Sequence, residues 1–238
     1  MTLLAGATAA AASAPSCYSR DVNAWICGDY LRDRGSDLVE ATVQHLWITV
    51  ASVGLGLLLA LPLALLARRY ARLESTILGL STGLYTIPSL ALFPLLVPFT
   101  GLTPMTVVIG LALYSLTILV RNALEGLRSV PDEVRESAVG LGYSPARLLL
   151  RVELPLALPV LMAGLRIATV STVALTTVGA IVAYGGLGNL LSDGVSEDFK
   201  AEILAASVLC VLLALVLDVL LLGAQRALTP WARHGREA

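Results

Sequence analysis

Ala41 to Ala67 carries no formal charge, and from Leu46 onward it is almost wholly apolar. A helix needs about 20 such residues to cross a hydrocarbon core of ~30 Å, so this run predicts a first membrane span. Ser75 to Val120 is also uncharged and is too long for one span. Pro94, Pro98 and the turn-like Gly101-Leu102-Thr103-Pro104 predict breaks, giving two spans joined by a short hairpin. A fourth run, Pro155 to Ala183, is interrupted only by Arg166, and a fifth, Ile203 to Gln225, only by Asp218. The runs are continuous, whereas a membrane β-barrel needs alternating segments of about ten residues. The pattern therefore predicts an all-α polytopic integral membrane protein of about five transmembrane helices. Residues 1–40 form a separate N-terminal tail, 41–226 the membrane domain with a structured loop at 128–155, and 227–238 a C-terminal tail.

Composition sharpens this. Of the 238 residues 57% are hydrophobic and 14% charged, with a mean hydropathy of +0.82. Soluble domains run near 45–50% and about 25%, so an ordinary soluble domain and a disordered chain both fit poorly. The net charge of −1 gives no sign of a nucleic-acid partner. Lys200 is the only lysine, so no Gly-x-x-x-x-Gly-Lys loop exists and the chain holds no Walker-type ATP site.

The basic residues are unevenly placed. Arg68, Arg69 and Arg72 follow the first span, Arg121, Arg128, Arg135, Arg147 and Arg151 lie between spans three and four, and Arg226, Arg233 and Arg236 follow the last. That puts eleven on one side, against Arg20, Arg32, Arg34 and Lys200 on the other. Cytoplasmic loops are the arginine-rich ones, which predicts a plasma-membrane protein with its N-terminus outside and its C-terminus in the cytoplasm. Ala12-Ser13-Ala14 has the small residues of a cleavage site, but the first arginine is Arg20, so the basic start of a signal peptide is missing. Cys17 and Cys27 fall on the outer side, where a disulfide persists; a bonded pair and two free thiols both fit the sequence. Cys210, inside the last span, reads as a packing residue.

Several motifs resemble chemistry. Gly79-Leu80-Ser81-Thr82-Gly83 fits the Gly-x-Ser-x-Gly elbow of an intramembrane hydrolase, but an elbow needs a strand, a helix and a histidine base. The only histidines are His45, just before the first span and read as interfacial, and His234. The same residues spell Gly-x-x-x-Gly, a spacing for close helix packing, which is the preferred reading. Gly185-Gly186-Leu187-Gly188 looks like a phosphate loop but follows a membrane helix, so a tight turn with positive φ is expected. Two histidines and three scattered cysteines give no metal-ligand spacing. Arg166 and Asp218 lie about 16 Å and 12 Å from the cytoplasmic ends of their spans if helical. They either pair, or remain separate with Arg166 reaching to the surface.

The segment 128–155 is the most informative. Ser129-Val130-Pro131-Asp132 offers an N-cap hydroxyl, an early proline and first-turn acids. Val134, Ala138 and Leu141 recur on one helical face, and Gly142 marks a stop. Ser144-Pro145 opens a second helix, 146–152, whose leucines continue into Leu154-Pro155. Two short helices around a glycine turn result.

Within this segment, Glu136-Ser137-Ala138, Gly142 and Val152-Glu153-Leu154-Pro155 resemble the EAA motif of ABC importer permeases, with the spacing kept throughout. The departures are Ser137 for alanine and Val152 for isoleucine. Thr86-Ile87-Pro88-Ser89-Leu90-Ala91-Leu92, Leu154-Pro155-Leu156-Ala157-Leu158-Pro159-Val160 through Gly164-Leu165-Arg166, and Tyr184-Gly185-Gly186-Leu187-Gly188 are similar to signatures of the osmoprotectant subfamily, which serves glycine betaine, carnitine and choline. The likeness spans about residues 38–226. It implies a type I importer permease whose 128–155 loop, through Glu136, Ser137, Ala138, Gly142, Val152, Leu154 and Pro155, docks on separate cytoplasmic ATPase subunits. Those subunits carry ATP and Mg, and this chain binds no cofactor or metal of its own. It further implies a second permease copy or sibling and an external substrate-binding protein that sets most of the specificity. Tyr85, Ser89, Arg166 and Asp218 are the candidate path or intramembrane polar residues, with Tyr114 and Tyr184 as further aromatic candidates. A permease for methionine or another amino acid is the nearest alternative.

Overall fold

The computed structural model describes residues 16–231. The elements within them are helical: α1 (Gly28–Asp33), α2 (Gly35–Arg69), α3 (Ala71–Thr86), α4 (Ser89–Thr100), α5 (Pro104–Arg128), α6 (Asp132–Gly140), α7 (Pro145–Leu148), α8 (Leu154–Thr176), α9 (Leu187–Ser196) and α10 (Lys200–Leu228). A π turn, Leu149–Glu153, leads into α8, and a 3₁₀ turn, Thr177–Val182, follows it. Four helical stretches are long and apolar enough to span a membrane, and α3 with α4 makes a fifth if that bent pair is one span. Ala12-Ser13-Ala14, Arg233, His234 and Arg236 lie outside the described residues.

The second span breaks in a different place from the one the sequence suggested. Pro94 and Pro98 sit inside α4, and the chain turns by 101° at Ile87-Pro88 instead. A residue before proline is steered away from the helical region, and Ile87 is extended (φ −66°, ψ 125°). The Ile87 carbonyl exposed by the break accepts the Tyr114 hydroxyl. α4 survives its two prolines because Phe93 is fully buried among Ile48, Val107, Val108, Leu111 and Val182. The hairpin to α5 falls where expected: Gly101 has φ +73°, its carbonyl accepts the Thr106 hydroxyl (2.6 Å), and Pro104 opens α5.

α5 is the central helix, buried along most of its length against α2 and α8. Small residues set these distances. A Cβ on Gly56 of α2 would lie 2.1 Å from Ser115 Oγ, and one on Gly164 of α8 2.3 Å from Asn122 Cβ. Among the described residues, the Gly79/Gly83 pair, expected to pack a helix, faces open space. Two residues from either glycine, Ser81 points inward and is the buried position of α3; its carbonyl accepts the Thr117 hydroxyl (2.6 Å). Its own hydroxyl donates to the Ile77 carbonyl, so no nucleophile is poised there.

His45 also departs from expectation. α2 begins at Gly35, which places His45 well inside the helix, fully buried, with one ring nitrogen donating to the Val173 carbonyl (3.0 Å). The Gly185-Gly186 turn closes over it: Gly186 has φ +57°, and a Cβ there would meet His45 Cβ at 2.7 Å. Of the four residues in that motif only Gly186 needs positive φ; Gly185 and Gly188 are small because the Ala180 and Thr177 backbones approach them. Cys210 is half-buried beside the same histidine.

The N-terminal segment is built rather than loose. Cys17 and Cys27 form a disulfide. Tyr18 and Tyr30 stack with Phe199 of the α9–α10 turn, at ring distances of 6.2 Å and 5.2 Å. The Asn23 side chain donates to the Asp198 carbonyl (2.6 Å) and accepts the Lys200 N–H (3.0 Å), capping α10 from 177 residues away.

Candidate functional site

The 128–155 loop is assembled by local signals. The Ser129 hydroxyl donates to the Gly126 carbonyl (2.8 Å), so it closes α5 and does not cap α6 as expected. Pro131 takes the N-cap place, and Asp132 and Glu133 fill the first turn, where the helix dipole favours acids. α6 ends in a Schellman motif: Tyr143 N–H bonds the Ala138 carbonyl (3.1 Å), Gly142 N–H bonds the Val139 carbonyl (2.9 Å), and Gly142 has φ +82°. The Ser144 hydroxyl accepts the Arg147 N–H (3.4 Å) and starts α7. The expected second helix, 146–152, is instead a four-residue α-helix and a π turn continuous with α8. Pro155 has no N–H for the Arg151 carbonyl, and the wider turn before it accommodates the ring.

Of the residues predicted to act in the loop, Glu136, Ser137 and Gly142 are exposed, and Val152, Leu154 and Pro155 are half-buried. Only Ala138 is buried; Val134 and Leu141, expected on its face, are exposed, Leu141 by 79%. Val139 and Leu150 are exposed as well. α6 and the turn after it thus present apolar side chains on a polar helix end, and none of the described residues covers them.

Within the spans, Arg166 and Asp218 meet. Arg166 Nε and Nη2 donate to the two Asp218 oxygens at 2.8 Å each, joining α8 to α10. Tyr85 and Tyr114 stand edge to face at 5.7 Å, and Ser171 and Thr172 of α8 share their cleft. Ser89 opens α4 beyond the bend and lies outside that cleft. Tyr184 packs on the core around Phe93.

Residues 52–234 match the profile of the binding-protein-dependent transport system inner membrane component. The chain belongs to this family. It is 38% identical over 206 residues to the osmoprotectant import permease protein OsmW of Salmonella typhimurium, covering 84% of this chain and 96% of that one. It is 34% identical to the choline transport system permease protein OpuBB of Bacillus subtilis, over 84% and 93%. Its fold is similar to that of the inward-facing MetNI methionine ABC transporter, with a TM-score of 0.76 at 23% identity, covering 83% of this chain and 98% of that one. At that identity the likeness is one of fold. The all-α class, the ABC importer permease architecture and a multi-pass membrane location are thereby established.

In this importer permease, one residue of the loop escaped sequence reasoning. Glu153 lies between Val152 and Leu154, both of which were named, yet its carboxylate is 4% exposed and sits between two arginines. Arg68, the end of α2, donates Nη1 to Oε2 (2.7 Å) and Nη2 to Oε1. Arg135 of α6 brings Nε to 3.0 Å from Oε1, an ion pair without hydrogen-bond alignment, while its Nη2 donates to the Leu127 carbonyl (2.6 Å). Arg128, at the end of α5, bonds Glu74 of α3 (2.6 Å). The loop is therefore clamped to α2 and α5. Arg68 had been read for its charge alone; the available signal was an isolated acid in an arginine-rich loop.

Proposed function

We propose that this chain is one half of the membrane path of an importer for small quaternary ammonium osmoprotectants such as glycine betaine, carnitine and choline. Its N-terminus faces outside and its C-terminus the cytoplasm, as the arginine distribution favours. The α6–α7 loop docks on cytoplasmic ATPase subunits that hold ATP and Mg, and this chain has no nucleotide site. A second permease completes the path, and an external binding protein delivers substrate. The uncovered apolar residues Val134, Val139 and Leu141 on the loop that carries Glu136-Ser137-Ala138 and Gly142 are the observation that most supports a docked partner. The names of the relatives support the substrate class.

The test is reconstitution with a candidate ATPase subunit, a partner permease and a substrate-binding protein from the same organism. Co-purification with the ATPase and ATP-dependent uptake of glycine betaine, carnitine or choline, with methionine inert, is the expected result. Uptake of methionine alone would overturn the substrate class, and failure to bind any ATPase would overturn the coupling role.

A further inference from the structure

A ladder of side-chain bonds ties α5 to α3. Tyr114 donates to the Ile87 carbonyl, Thr117 to the Ser81 carbonyl, and Arg128 pairs with Glu74. Between these rungs Arg121 Nη2 donates to Thr82 Oγ1 at 2.8 Å. Among the described residues no carboxylate pairs with Arg121, so most of the N–H donors of this exposed guanidinium stay unused. The rung lies deep. Arg121 is seven residues from Arg128 along α5, about 10 Å, and Thr82 is eight from Glu74 along α3, about 12 Å. Asn122, the next residue, packs under Gly164 of α8, two residues before the intramembrane Arg166. At this level a guanidinium faces water or protein, because hydrocarbon offers nothing to its free donors.

Thr82 is also one edge of a polar flank of α3. At about 100° per residue, Ser75, Thr76, Gly79, Thr82, Gly83 and Thr86 share a sector of about 120° that holds no large apolar side chain. Thr82 is half-buried and the others are exposed. The Thr82 and Thr86 hydroxyls donate to their own helix, at 2.7 Å each, so the flank offers lone pairs and no acid to the space beside Arg121. A Cβ on Gly79 or Gly83 would meet nothing within 4 Å. A face turned to lipid looks different: along α10 the exposed residues are Val211, Leu215 and Val219. The flank of α3, with a cation at its edge, is built for a wet surface.

We propose that this flank of α3 is a wall of the substrate path and that Arg121 recognises the carboxylate of a zwitterion passing along it, an inference that rests on the osmoprotectant reading above. The planar fork of a guanidinium matches a carboxylate, and Thr82 fixes its orientation. The same charge, with no acid beside it, opposes a bare cation. Glycine betaine and carnitine bring a carboxylate and no net charge, whereas choline brings only the cation. A single anchor at an open wall binds weakly enough for the substrate to leave again, as transit requires.

The test uses the complete importer in vesicles with the binding protein saturated by each substrate in turn, so that uptake reports passage through the permease. The readout is the ratio of glycine betaine to choline uptake. Arg121→Gln is expected to lower that ratio about tenfold, because the betaine loses its fork and choline loses a repelling charge. Arg121→Lys, which keeps the charge without the fork, should fall between wild type and Arg121→Gln, and Thr82→Val should shift the ratio the same way by less. A ratio unchanged in Arg121→Gln, whether or not both rates fall, makes the residue a structural tie and overturns the inference. Where the Arg121 variants do not assemble, Gly79→Cys in a background with Cys210 replaced decides. Its thiol should react with a water-soluble reagent in the nucleotide-free complex, more slowly when glycine betaine is present. A thiol that stays unreactive puts lipid or the second permease on this flank, and one that reacts at the same rate with and without glycine betaine takes the substrate off it; either overturns the inference. A wild-type complex that moves choline but not glycine betaine overturns it too, while leaving the importer reading intact. A wild-type complex that moves neither overturns the osmoprotectant reading itself.

Discussion

Removing Arg68 tests how the loop is held. Glu153 is nearly buried, and Arg68 supplies both of the hydrogen bonds its carboxylate accepts. Deleting one partner of a fully buried pair costs about 3–5 kcal/mol, because the other charge is left without compensation. Two features reduce that here. Arg68 itself is 26% exposed, and Arg135 remains 3.0 Å from Glu153 Oε1 after the deletion. We therefore expect Arg68→Ala to cost about 2 kcal/mol, between the exposed and buried limits. At about 2–4 °C per kcal/mol for a chain of this size, the detergent-solubilised subunit should melt about 4–8 °C lower. Glu153→Gln keeps the shape and removes the charge, leaving two arginines that are partly hydrated, so a smaller shift is expected. The double variant should show coupling, with its loss well below the sum of the two single losses. Function should respond more than stability does. With the loop released from α2, ATP hydrolysis by the assembled complex should continue while substrate moved per ATP falls several-fold. An unchanged melting temperature in Arg68→Ala, together with unchanged transport per ATP, would refute the clamp.

Gly142 has open space around its Cβ position but φ +82°, so Gly142→Val should cost about 1–2 kcal/mol of backbone strain, whereas the helical Gly140→Ala should be neutral or stabilising; pull-down of the ATPase should fail only for the first. In a background with Cys210 replaced, a cysteine at Arg69 should be shielded from an impermeant thiol reagent in intact cells and one at Ser196 should react; the reverse pattern would invert the membrane orientation. Asn23→Ala should remove the cap on α10, costing about 1 kcal/mol, and speed amide exchange at Lys200 and Ala201; unchanged exchange would refute the cap. Reduction of the Cys17–Cys27 bridge, which closes a short loop and is worth about 2–4 kcal/mol, should loosen the same segment, read as proteolysis ahead of α2 under reducing conditions.

How far these features were legible in the sequence follows from the range of the forces involved. Spans and loop boundaries come from local hydropathy and turn chemistry, and Gly142, Ser144 and Gly101 act where their neighbours in the chain predict. The errors occur where partners distant in sequence decide. Pro94 and Pro98 looked like breaks because proline removes a helix bond wherever it stands, yet burial of Phe93 against α5 holds α4 together, and the bend moved to Pro88. Gly79 and Gly83 carried the packing signature, but which face of α3 turns inward is fixed by Thr117 on α5 reaching the Ser81 carbonyl. His45 looked interfacial by its distance from the apolar run, and only the return of Gly186 across α2 buries it. The candidate site divides in the same way. Glu136, Ser137, Ala138 and Gly142 could be named from spacing because α6 and its glycine stop are written by neighbours in the chain. Glu153 could not, because its meaning depends on Arg68, 85 residues earlier. Arg166 and Asp218 stand between these cases. Two charges in adjacent antiparallel spans have few other partners at their depth, so estimating the depth from the chain was enough to bring them within reach of each other. The rotation of α8 and α10, which no local pattern specifies, is what turns that proximity into a two-bond pair open to a cavity.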